Sequence, residues 1–168
     1  MTVIIDTNVI LVANGQHGDA SPDCVVECAL RLQSVMSDDR IALDSDFEIL
    51  TEYQNKTQPK TGNRPGDAFV KWALRNNANA KHCDLVLLRR DSKRLYESFP
   101  DDARLANFDR SDRKFVAVAA AHEEHPPISQ ATDAKWVDWA PALADHGIIV
   151  EFVCPADIQR FHAKKLVK

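Results

Sequence analysis

No apolar run in this chain approaches the roughly 18 residues that a membrane span requires. Nor does a basic region followed by an apolar core stand at its start, and Asp6 interrupts the one candidate stretch, Val3 to Ile5. The expectation is a cytoplasmic protein with no membrane partner. P-loop, GxGxxG and GxSxG patterns are all missing, which leaves nucleotide-cofactor and serine-hydrolase chemistry without support. The four cysteines, Cys24, Cys28, Cys83 and Cys154, contain no CxxC pair. They are expected to be small buried apolar residues, not zinc ligands or a disulfide. Repeats and low-complexity tracts are also lacking.

Charge is only slightly one-sided. The net value of −4 argues against a strongly basic nucleic-acid coat protein. A nuclease is not excluded, because carboxylates gathered around divalent cations are offset by them. With 168 residues, 45% apolar and 27% charged, the chain fits one domain with a substantial core.

What is present is an alternation of strand and helix patterns. "VIID" places three apolar residues without polar alternation, a strand over 2–6 buried on both faces, and ends it on Asp6. After a loop holding Asn14, Gly15 and Gly18, Ser21-Pro22 reads as an N-cap and first turn. The helix that begins there, 22 to 37, carries Val25, Cys28, Ala29, Leu32, Val35 and Met36 on one stripe. A short strand at 41–43 and a helix over 45–56 come next, with Glu52 at the edge of the apolar stripe. The polar, Pro- and Gly-rich 55–67 reads as a loop or mobile flap, and 66–78 as a helix. "CDLVLLRRD" has an apolar centre that fits a strand or a buried turn of helix, and 92–107 is weakly amphipathic. "FDRSDRKFVAVAAAHEEH" opens a helix over 112–124 that is apolar nearly all round. Ile128 to Ala131 is a strand, 135–146 a helix interrupted by Pro141, "IIVEFV" the last strand, and 156–168 a basic helix or tail. Alternation of this kind specifies an α/β fold, a three-layer α/β/α sandwich on a central, mostly parallel sheet.

Four acids stand where such a sheet collects its ligands. Asp6 and Asp133 each follow a strand, Asp112, preceded by Asp109, opens the apolar helix, and Glu52 lies on a helix behind a strand. Hard divalent cations, Mg²⁺ or Mn²⁺, prefer such oxygen ligands, and phosphodiester hydrolysis is chemistry they serve well. Thr7 and Asn8 are placed to orient an acid or a water, or to contact phosphate. Each acid also has a plainer reading: Asp6 as a turn former, Glu52 as a solvated acid with Asp46 and Glu48 as competitors, Asp109 and Asp112 as helix caps, Asp133 as a loop acid. "HEEH" at 122–125 is one residue short of HExxH and reads as a helix end. The basic run Arg89, Arg90, Lys93 and Arg94 fits a solvated face or a phosphate track. Trp72, Trp136 and Trp139 fit packing before base stacking.

"IIDTNVIL", "ILTEY" around Glu52, "DRSDRKFVAVA" and "ATDAKW" followed by "GIIVEF" together resemble the PIN-domain ribonucleases, in order from residue 2 to about 153, with 57–107 matching poorly. The resemblance implies a PIN-like nuclease domain over 1–154, with 55–107 as a variable insertion, and a basic C-terminal tail or helix over 155–168. It implies a metal-dependent endoribonuclease whose acids are Asp6, Glu52, Asp112 and Asp133, with Asp109 as an outer ligand or cap. RNA, single-stranded or looped, is the implied substrate, and an antitoxin, a regulatory protein or a second copy of the chain the implied partner. Two other readings compete. A haloacid-dehalogenase-like phosphatase also has an Asp ending its first strand, but it looks for a second Asp where Asn8 stands. A catalytically silent PIN-like binding module would keep the fold alone.

Overall fold

Residues 2–5 form a strand because all four are buried on both faces, the condition of a strand inside a parallel sheet. The computed structural model describes residues 1–167. In chain order they run β1 (Thr2–Ile5), α1 (Thr7–Ala13), α2 (Pro22–Asp38), β2 (Arg40–Asp44), α3 (Glu48–Lys56), α4 (Pro65–Asn76), β3 (Cys83–Val86), β4 (Arg90–Asp91), β5 (Leu95–Tyr96), α5 (Arg113–Ala121), β6 (Ile128–Gln130), α6 (Lys135–Asp145), β7 (Val150–Phe152) and α7 (Pro155–Val167). Five strands make one sheet in the order β3-β2-β1-β6-β7, and every pairing is parallel. Helices cover both faces, so the architecture is the three-layer α/β/α sandwich. Among the described residues no helix is long and apolar enough to cross a membrane.

The chain builds outward from β1 to β2 and β3, then returns to lay β6 and β7 on the other side. Connections therefore leave β1 and β6 in opposite directions and open a crevice above their carboxyl ends, the switch point of a doubly wound sheet. Asn8 fixes the width of that crevice. Its Oδ1 accepts from the backbone N–H of Thr132 at 2.7 Å and from the Thr132 hydroxyl at 3.0 Å, which ties the start of α1 to the residues just past β6.

Several sequence expectations need correction. Residues 7–13, to which the pattern assigns no element, are helical, with the Asp6 carboxylate capping the Asn8 N–H at 2.9 Å. The helix expected from 45 begins at Glu48, because Asp44 at the end of β2 takes the N–H groups of Glu48 and Ile49 at 2.8 and 2.9 Å. The apolar helix expected over 112–124 divides into a 3₁₀ turn, Arg110–Asp112, and α5, which ends before His122. The ambiguous "CDLV" is an edge strand, with Leu85 and, beyond its end, Leu87 exposed. The 92–107 stretch holds the turn and second strand of a small antiparallel hairpin that begins at Arg90, and a further 3₁₀ turn, Ala103–Leu105. The C-terminal segment is helix, not tail.

The 55–67 segment is pinned, not a mobile flap. Asp67 is fully buried and accepts from the Gln58 N–H at 2.9 Å, the Asn14 amide at 3.0 Å and the Arg64 guanidinium at 3.0 Å. Burial alone would push its carboxyl up, but these donors together hold it below the usual range. Asn14 also accepts from the Gly66 N–H at 2.6 Å, and a Cβ at Gly66 would sit 2.5 Å from the Ile10 carbonyl. Only glycine lets α4 approach α1 that closely. Replacing Asp67 by Ala strands these donors, and is expected to cost about 3–5 kcal/mol of stability in urea unfolding.

The cysteines are buried as expected, but not all as free thiols. Cys24 on α2 and Cys154 after β7 form a disulfide with Cα atoms 5.4 Å apart, and the Cys28 sulfur lies 3.8 Å from that of Cys154. Cys28 and Cys83 are free, and burial pushes each thiol up to about 12. The bridge closes a span of 130 residues, so its reduction is expected to lower unfolding free energy by about 2–5 kcal/mol. Alkylation of the denatured, unreduced protein should modify two cysteines, and intact mass counts them.

Candidate active site at the switch point of the sheet

The site begins with a carboxylate that has been taken out of water. Asp6 follows the buried β1 and is 5% exposed. One of its oxygens, Oδ2, caps α1 through the Asn8 N–H. The other, Oδ1, is buried and has no hydrogen-bond partner. Gln130, at the end of β6, turns its amide toward it and draws its pKa slightly down. That amide is committed through Oε1 to the N–H groups of Ala131 and Asp133, and its Nε2 is buried without a partner as well. Burial, then the charge of Asp112, then that of Glu52 raise the Asp6 carboxyl well above its ordinary value.

Asp112 comes from the opposite wall. It stands at the junction of the 3₁₀ turn and α5, and Asp109 precedes that turn, yet neither carboxylate caps a helix N–H. The plain capping explanation of these two acids therefore fails on geometry. Burial first, then Asp133 and Glu52, push the Asp112 carboxyl up to about 6. Asp133, three residues past β6, joins Asp109 and Asp112, and the carboxylates of these three lie within 4.8 Å of one another, a group that takes in neither Asp6 nor Glu52. Asp109 is partly neutralised by the Lys135 ammonium at 2.9 Å.

Glu52 reaches the cluster from α3 with both oxygens engaged. Thr7 donates its hydroxyl to Oε2, and the Lys114 ammonium sits 2.9 Å from Oε1. The competing acids point elsewhere: Glu48 pairs with Arg90 and takes the Tyr96 hydroxyl, and Asp46 is exposed. Thr7 and Asn8 act on protein groups, as a holder of Glu52 and a tie across the crevice. His122 of "HEEH" meets Asp84 at 2.9 Å. Trp136 is fully buried, and Trp72 and Trp139 pack against the core.

Sequence reasoning misses Lys114 and Gln130. A lysine one turn into an apolar helix reads as a solvated side chain, and a glutamine ending a strand carries no chemical signal. The weak clue for Lys114 is its place inside an otherwise apolar run.

The arrangement can hold a hard divalent cation. A buried partnerless oxygen, two non-capping carboxylates and an acid beyond a strand end are oxygen donors with unspent capacity, suited to Mg²⁺ or Mn²⁺. Comparison with known proteins adds nothing to this geometry: no family model, curated protein or solved structure matches the chain.

The raised carboxyls have a consequence for stability. An acid with a folded pKa above its unfolded value destabilises the fold when ionised, and the penalty fades as pH falls through the folded pKa. Metal-free protein is therefore expected to melt at a higher temperature at pH 5 than at pH 7. Acids whose carboxyls are held low, such as Asp67 and Asp157, withdraw their support only below about pH 4. Saturating Mg²⁺ or Mn²⁺ should flatten the dependence. Calorimetric melting at the two pH values, with and without metal, measures it.

Proposed function

We propose that this chain is a metal-dependent endoribonuclease of PIN type that hydrolyses RNA phosphodiester bonds. The observation that carries the proposal is the buried, partnerless Oδ1 of Asp6 beside Asp112 at the switch point. Unsatisfied buried carboxylate oxygens are expensive, and a cation is the group that would satisfy this one. Mg²⁺ or Mn²⁺ drawn between Asp6 and the Asp109, Asp112 and Asp133 group would supply Lewis-acid polarisation of the phosphate and acidify a water. The chain itself holds the frame. Asn8 ties the two strand ends, Thr7 and Lys114 fix Glu52, and the Asn8 N–H fixes one Asp6 oxygen.

Support for a nucleic-acid substrate comes from the adjoining groove. A cavity of about 660 Å³ runs beside Asp109, lined by Lys93, Arg94, Arg110 and Arg113 together with the acids Asp101 and Asp102, of which Asp101 pairs with Arg94. Lys93 and Arg110 belong to no ion pair among the described residues, so their charge is available to phosphates. Single-stranded or looped RNA fits such a wall better than duplex, since its bases are accessible. On this reading the protein works in the cytoplasm, where RNA is at hand. An antitoxin or second copy as regulator follows from the family resemblance alone.

Replacing Asp112 by Asn tests the reading. Cleavage of single-stranded RNA in Mn²⁺ is expected to fall by at least about a hundredfold. Meanwhile the metal-free melting temperature at pH 7 rises, because a strained charge has been removed. Full activity in Asp112→Asn overturns the nuclease reading. A folded, metal-binding protein that cuts neither RNA nor DNA favours the silent binding module, and a covalent phosphate on Asp6 the phosphatase.

A further inference from the structure

We propose that Lys114 is a built-in cation that occupies the place of a second metal ion, so that the site takes one divalent cation and Glu52 is the holder of the lysine instead of a metal ligand. This rests on the nuclease reading above and deepens it. The geometry begins with burial. Lys114 lies in the first turn of α5, 8% exposed, with its ammonium 5.2 Å from the centroid of the Phe115 ring. A lysine is buried to that extent only when its charge is met. Here Glu52 Oε1 at 2.9 Å and the Ser111 carbonyl meet it.

Both Glu52 oxygens are engaged in the same arrangement, the second by the Thr7 hydroxyl, so a metal would have to share them with the threonine and the lysine. The charges then divide cleanly. Lys114 answers Glu52 and Lys135 answers Asp109, which leaves Asp6, Asp112 and Asp133 without a cation among the described residues. One divalent ion leaves these three carboxylates one negative charge, and a second would turn that into one positive charge beside a wall that already holds an ammonium. A fixed ammonium in a poorly hydrated wall stabilises charge developing on a phosphate without having to be bound from solution.

The test counts ions. Mn²⁺ is titrated into the metal-free wild type, Lys114→Arg, Lys114→Met and Asp112→Asn, with free Mn²⁺ read by electron paramagnetic resonance and heat by calorimetry. The expected result is one Mn²⁺ per chain in wild type and Lys114→Arg. In Lys114→Met a second Mn²⁺ binds within about tenfold of the first, beside the Glu52 carboxylate that the lysine has released, and the pair shows spin coupling. Asp112→Asn is expected to lose the first ion, which separates the site from surface acids. Two ions in wild type overturn the inference while leaving the nuclease reading standing. One ion of unchanged affinity in folded Lys114→Met does the same. No bound ion in wild type, with no cleavage, overturns both. The wild-type count decides even where Lys114→Met does not fold.

Discussion

Negative charge held out of water, at the place where the sheet divides, is the constraint that the rest of this structure answers to. A carboxylate at the end of a buried strand has few donors within reach, because the strand's own N–H groups are spent on its neighbours. Asp6 finds one donor, the Asn8 N–H, for one oxygen, and its other oxygen finds none. Neighbouring acids make this worse, since Asp112 and Glu52 both raise the Asp6 carboxyl. Such an arrangement survives only if the surrounding fold over-determines it. The over-determination is visible: Tyr53 donates to the Ile5 carbonyl immediately before Asp6, Asn8 binds the far strand end, and β1 is buried along its length.

The two walls of the crevice balance that charge differently. On the inner wall a buried ammonium, Lys114, faces Glu52. On the outer wall the exposed Lys135 faces Asp109. An exposed pair of the second kind is worth little, because water screens it and both side chains lose freedom. The buried pair contributes more to specificity than to stability. Its desolvation offsets most of its attraction, but removing either partner strands the other. The inner wall is therefore electrostatically rigid, and the outer wall is open to rearrangement by whatever enters from the groove beside Asp109.

How much of this is legible in the sequence depends on the range of the interaction. Strands β1 and β6 and the acids behind them are readable, because apolar runs ending in an acid are local patterns. Helix α1 is not, since seven residues that are mostly apolar and lie next to a buried strand show no amphipathic period. The partners of Lys114 and Cys24 are out of reach for another reason. Lys114 meets an acid 62 residues away and Cys24 a cysteine 130 away, and nothing local distinguishes either residue from a solvated lysine or a core thiol. The 55–67 segment misleads through composition. Most of its polar residues do face solvent, but the buried Asp67 anchors the segment from within. Asn14 and Asp67 fasten α4 to α1.

Strand-end acids alone are a poor guide to a site, and the contrast between Asp6 and Asp44 explains why. Both lie at the ends of strands of the same sheet, and Asp44 is the more deeply buried, at 1% exposed. Yet each Asp44 oxygen accepts one of the first N–H groups of α3, so it is a cap with neither oxygen left unpartnered. Asp6 caps with one oxygen only, and its second faces other acids. The difference lies in the path of the chain beyond each strand. Behind β2, the turn through Phe47 brings two free N–H groups onto the carboxylate. Behind β1, helix α1 starts at the next residue, and only one N–H reaches back. A strand that runs directly into its helix leaves its acid half satisfied, and at the switch point that half stays buried beside other acids.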